Sequence, residues 1–144
     1  MPSISGSFTG HAAAQSSMSV SDAAHHELNL MQVTAMQRST DPDWDNCHMC
    51  YWGAADLHEG NGMQRGYFTT YHSGGDRDFG TFEGRITTIA NQMTIEGTWK
   101  FTSGTGKYEG LAGNGTFKGR MTAPGLFEDT WEGNYELAEE TRAA

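Results

Sequence analysis

The sequence predicts an all-β protein, a single antiparallel closed barrel of about eight strands around an internal cavity. Three observations lead there. The C-terminal half alternates apolar and polar residues with a period of two, a rhythm that a helix does not produce. Glycine accounts for 19 of 144 residues, about 13%, nearly twice the usual share of about 7%. Glycines at positions 80, 84, 97, 115, 119 and 133 fall on the apolar side of their strands, where a strand bends sharply or a backbone comes close. A β-sandwich needs the same alternation with fewer inward glycines, and it stands as the alternative architecture.

Taken in order, residues 4–14 read as a first strand with a weak pattern, followed by a small, polar loop over 15–24. Ser21-Asp22 at the end of that loop could open a short helix, though none is required. Residues 27–39, 49–58 and 62–72 have strand composition, and the acidic, proline-containing 40–46 is a loop. Four clean strands follow. Gly80, Phe82, Gly84 and Ile86 oppose Thr81, Glu83, Arg85 and Thr87. Met93, Ile95, Gly97, Trp99 and Phe101 oppose Thr94, Glu96, Thr98, Lys100 and Thr102. Gly115, Phe117, Gly119 and Met121 oppose Thr116, Lys118 and Arg120, and Phe127, Trp131, Tyr135 and Leu137 oppose Glu128, Thr130, Glu132, Asn134 and Glu136. Short connections at residues 89–92, 103–106 and 122–126, the last built on Pro124-Gly125, make this an antiparallel meander. The domain spans residues 1–138, with a polar tail at 139–144.

Composition narrows the function classes. Nine Lys+Arg against eighteen Asp+Glu give a formal charge of −9, which argues against a nucleic-acid or anionic-membrane surface as the main partner. No apolar stretch approaches the roughly 20 residues of a membrane helix, and no secretory signal is visible, so a cytoplasmic location is expected. Cys47 and Cys50 form a lone Cys-x-x-Cys. On an extended strand the two thiols point to opposite faces, too far apart for a disulfide. Cys47, His48, Cys50 and His58 lack the second paired motif of a structural zinc site, so no metal and no cofactor is expected. Nucleophile-elbow, P-loop and dinucleotide patterns do not occur.

Gly104-Thr-Gly-Lys-Tyr-Glu-Gly110, followed by Ala112-Gly-Asn-Gly-Thr-Phe-Lys-Gly119, resembles the strand–turn–strand signature of the allene oxide cyclase and dirigent barrel superfamily. The resemblance covers residues 79–137 and carries no catalytic side chain. It implies a small, calycin-like eight-stranded barrel with a ligand cavity, leaving a homo-oligomer open, in a group of cyclases, cyclisation enzymes and non-catalytic orienting proteins.

Asp129 is the intruder on an apolar face, in phase with Phe127, Trp131 and Tyr135. A carboxyl facing a barrel interior acts as a general base or as a neutral acid, or else it is a rim residue bonded to a loop amide. Asp78 shares that phase nearer a loop and reads as structural. The early strands mix apolar and polar residues on both faces, as a cavity wall for an amphipathic ligand or a partner-covered outer face would. His72 and Tyr71 join Asp129 as catalytic candidates, and Tyr67 and Arg65 are binding donors. Trp99, Phe101, Phe117, Trp131 and Tyr135 form the apolar wall. These assignments suit a cofactor-independent isomerase, cyclase or lyase acting on a hydrophobic small molecule. A carrier that binds such a molecule unchanged is the alternative, and a packed structural barrel is a third option.

Overall fold

The computed structural model describes residues 2–137 and contains one closed barrel of eight antiparallel strands in sequential order. The strands are β1 (Ser3–Val20), β2 (His26–Ser39), β3 (Cys47–His58), β4 (Asn61–Tyr71), β5 (Arg77–Ile89), β6 (Gln92–Gly104), β7 (Ala112–Ala123) and β8 (Leu126–Glu136). A 3-10 turn, Gly106–Tyr108, precedes β7. Pairing of β8 back onto β1 from Ser3↔Asn134 to His11↔Leu126 closes the sheet, removes its edges and excludes the sandwich. The tail expected at 139–144 and the boundary at 138 lie outside the described residues.

Local chemistry sets the turns. Ala90 and Asn91, between β5 and β6, have φ of 51° and 65°, the two left-handed central residues that a type I′ hairpin needs. Gly125, with φ of 74°, occupies the position after Pro124 where a type II turn requires positive φ. Register shifts on β1, β6 and β7 mark bulges that curl the sheet. In β1 the shift between Ala12 and Ala14 moves the inward phase, so Phe8 and Gln15 both face the lumen.

This bulge also corrects the expected first loop. Residues 15–20 continue β1, paired with β2 from Gln15↔Met31 to Val20↔His26. They lack alternation because both faces of this stretch are exposed, and the connection that follows is a turn with no helix.

The two ends of the barrel differ. At one end the β2–β3 loop folds inward and its Trp44, only 1% exposed, plugs the lumen. Ile4, Phe101, Tyr108, Leu111, Tyr135 and Leu137 pack around it, with ring centroids 4.9 Å away at Tyr135 and 5.6 Å at Tyr108. The other end carries short hairpin turns and stays open. Among the described residues, no helix is long and apolar enough to cross a membrane.

Candidate functional site

A cavity of about 350 Å³ runs from the inner face of Trp44 to the open end, just above the lower bound of about 300 Å³ for ligand pockets. Its wall is mostly aromatic and aliphatic, including Tyr51, Phe68, Phe82, Ile95 and Phe117. Polar groups are few inside (Gln37, Gln64, Thr70 and Asp129), and Gln15, Glu27, Asn29, Thr88 and Arg120 line the open end. An apolar barrel with a polar rim suits a ligand that enters from water and leaves its water behind.

Asp129 is the chemical centre of this space. On β8 it lies opposite Phe8 of β1 and Gly119 of β7. Gly119 is a glycine for a steric reason, because a Cβ there would collide with the Asp129 carboxyl. Asp129 is buried, with no hydrogen bond or ion pair to another described residue. Burial raises its pKa from 3.8 to about 7, since desolvation penalises the carboxylate and no cation offsets it. At neutral pH the group therefore exists as acid and as base in comparable amounts, the condition for moving a proton in either direction. Burial also pushes the Tyr51 phenol upward, and the nearby Asp129 charge adds to that, so Tyr51 faces the cavity as a neutral hydroxyl. The Trp131 Nε1–H is buried with no hydrogen-bond partner among the described residues. An unpaired buried donor costs about 1–3 kcal/mol.

The other expected site residues divide by face. Trp99, Phe101, Phe117 and Trp131 line the cavity. Tyr135 points inward but belongs to the plug, where its hydroxyl donates to Asp41 Oδ2 at 2.5 Å. His72 is not at the cavity. It is buried behind Trp44, with Nε2 2.6 Å from Asp78 Oδ2 and Nδ1 2.7 Å from the Asp43 carbonyl. A carbonyl only accepts, so Nδ1 carries a proton, and a second proton lies between Nε2 and Asp78. The Trp44 indole donates to the same Asp78 oxygen at 2.9 Å, and Tyr108 stacks on the imidazole at 3.9 Å. This network holds the plug shut, which gives Asp78 its structural role.

Tyr67, Tyr71 and Arg65 are corrected in placement. On β4 the inward set is Gln64, Gly66, Phe68 and Thr70, continued by His72 just past the strand, and Arg65, Tyr67 and Tyr71 lie on the opposite face. Tyr67 is 67% exposed, Tyr71 stacks on His48 on the outer face, and Arg65 pairs with Glu83 at 3.4 Å. None of the three reaches the cavity. Aromatic residues favoured that face in the sequence, but the narrow lumen accepts Gly66 and Gln64 more readily than two more tyrosines. Cys47 and Cys50 are free and buried on opposite faces of β3. Burial raises both thiols, so neither is an activated nucleophile.

Sequence reasoning missed Trp44, Tyr51 and Gln64. Trp44 sits in an acidic loop, where one large apolar residue was the available signal. Tyr51 and Gln64 lie on strands whose two faces look alike in composition. No protein-family model and no curated protein matches the chain.

Proposed function

We propose that the barrel is a small cofactor-independent enzyme that isomerises, cyclises or eliminates on a hydrophobic small molecule held in its cavity, with Asp129 as the proton-transfer group. The observation that carries this reading is a buried carboxyl with a pKa of about 7 and no protein partner, inside an apolar pocket. In an isomerisation or cyclisation, Asp129 takes a proton from one carbon and returns it to another atom of the same molecule. The net reaction consumes no co-reactant. The aromatic wall holds the substrate in a reactive shape, while Tyr51 and the Trp131 indole supply donors for a developing oxyanion. Kinship with the allene oxide cyclase and dirigent barrels is part of the proposal, supported by the closed sequential meander and the glycine-rich turn before β7. A cytoplasmic setting, compatible with two free thiols, belongs to the same reading. So does self-association through the outer face carrying Trp52, Tyr67 and Tyr71.

The carrier reading is favoured by one specific feature. With His72 in the plug and Tyr71 outside, Asp129 is, among the described residues, the sole carboxyl or imidazole inside the cavity, and Glu27 stands at the rim. Mass spectrometry of small molecules that co-purify with the chain identifies the ligand class, and incubation with that molecule separates the two readings. The enzyme reading expects product from the wild type and none from Asp129→Asn, with ligand affinity retained. Binding without product from either chain establishes the carrier. Equal turnover by both chains removes Asp129 from the chemistry.

A further inference from the structure

Beside the open end, four side chains converge that the cavity does not use. His26 and His58 are direct cross-strand partners on β2 and β3, and their rings stack at 3.9 Å with an interplanar angle of 16°. Both Nε2 atoms face the Asp56 carboxylate, from His26 at 2.6 Å and from His58 at 3.9 Å. The ligand atoms of the three residues all lie within 4.8 Å of one another. The other ring nitrogen of His26, Nδ1, is held by Asp22 at 2.5 Å. The His26 side chain is 10% exposed, whereas Asp56 and His58 remain open to solvent at 61% and 58%.

We propose that His26, His58 and Asp56 form a binding site for a divalent cation of the zinc class. Two imidazoles and a carboxylate make a borderline donor set that suits zinc and its first-row neighbours. Calcium and magnesium prefer oxygen ligands alone. Metal–ligand bonds of about 2.0–2.1 Å place tetrahedral ligand atoms about 3.3 Å apart. The observed 2.6 and 3.9 Å bracket that spacing, and with all three ligand atoms within 4.8 Å of one another, side-chain movements of about 1–2 Å accommodate an ion. Asp22 is the positioning residue. A metal-bound histidine commonly donates its second N–H to a carboxylate, which fixes the ring and its tautomer. The backbone is already set for this, because the Glu59 N–H donates to the His25 carbonyl at 2.9 Å and ties the β1–β2 and β3–β4 hairpins together. His26 and His58 neighbour Glu27 and Leu57, which line the cavity, so the ion braces the mouth of the barrel. The site does not depend on the enzymatic reading.

The rival account of the same contacts is a protonated His26 clamped between two carboxylates, with His58 a bystander. Calorimetric titration of the full-length chain with zinc chloride at pH 7.5 separates the two. The proposal expects one site per chain, weakened at least tenfold in His58→Gln and in Asp56→Asn, and about 10–100-fold in Asp22→Asn. It also expects an unchanged site in Cys47→Ser and Cys50→Ser. In the wild type, imidazole 15N spectra must show the Nε2 signals of both His26 and His58 moving as zinc is added, a readout that needs no variant to fold. Absence of zinc uptake up to about 1 mM overturns the proposal. So does a site indifferent to His58→Gln and Asp56→Asn, or 15N shifts confined to other histidines.

Discussion

Replacing Asp129 by asparagine changes the pH dependence of stability in a calculable way. In the unfolded chain the carboxyl titrates near its ordinary 3.8, whereas in the barrel it titrates at about 7. Between those values the folded state keeps a proton that the unfolded chain has released, so stability falls as pH rises. The shift is about three pKa units at about 1.36 kcal/mol each, or at most about 4 kcal/mol, with a slope no steeper than about 1.4 kcal/mol per pH unit. Below about pH 3 both states are protonated and the group contributes no penalty. Above pH 7 the full penalty stands. Asparagine never ionises, so at pH 4.5, where the unfolded carboxyl is already mostly ionised, Asp129→Asn should gain only about 1 kcal/mol on the wild type, offset by the amide's own burial cost. By pH 8 it should be more stable by several kcal/mol. Urea unfolding of both chains at pH 4.5, 6, 7 and 8.5 reads this difference directly, and Asp78, buried in both, cancels. A free-energy difference between the two chains that stays constant across that range refutes the claim that Asp129 is a partnerless buried acid.

Three further outcomes follow from the placement of residues. Ala55→Phe puts a ring into the cavity, so binding of an apolar fluorescent probe should drop at least tenfold while the circular dichroism spectrum stays that of a β-protein. His72→Ala strips Asp78 of its hydrogen-bond partner inside the plug and should cost about 1–3 kcal/mol in urea unfolding. The affinity of its folded molecules for the probe should be unchanged; a loss below 1 kcal/mol would remove the plug network from the account. Tyr67→Ser, Tyr71→Ser and Arg65→Ser alter the outer face alone, so probe binding measured by fluorescence titration should stay within twofold of wild type.

Much of this was legible in the sequence because alternation survives wherever one face is apolar and the other wet. β5 to β8 obey that rule, and their apolar faces, with Asp129 among them, line the cavity; Arg120 of the wet face joins them at its rim. Trp99 and its glycines illustrate why the signal was strong. The indole lies over Gly115 and Gly133, where any Cβ would stand 2.7 Å from the ring, so large and small residues are fixed together. β1 to β4 were harder to read. The lumen there takes Asn29, Gln37 and Gln64, while the outside displays Leu30, Trp52 and Tyr67, so polarity no longer tells inside from outside. The bulge near Ala13 erased the phase of β1 by shifting it mid-strand. The plug was invisible for a different reason: Trp44, His72, Asp78 and Tyr108 come from separate loops and strands, and only barrel closure brings them together.

The most direct test of the central claim, a proton-transferring carboxyl facing a bound small molecule, is the 13C titration of the Asp129 carboxyl by NMR, with and without the co-purifying molecule. The account predicts a midpoint near 7 in the free protein that moves when the molecule binds. A midpoint near 4, insensitive to the ligand, would contradict it.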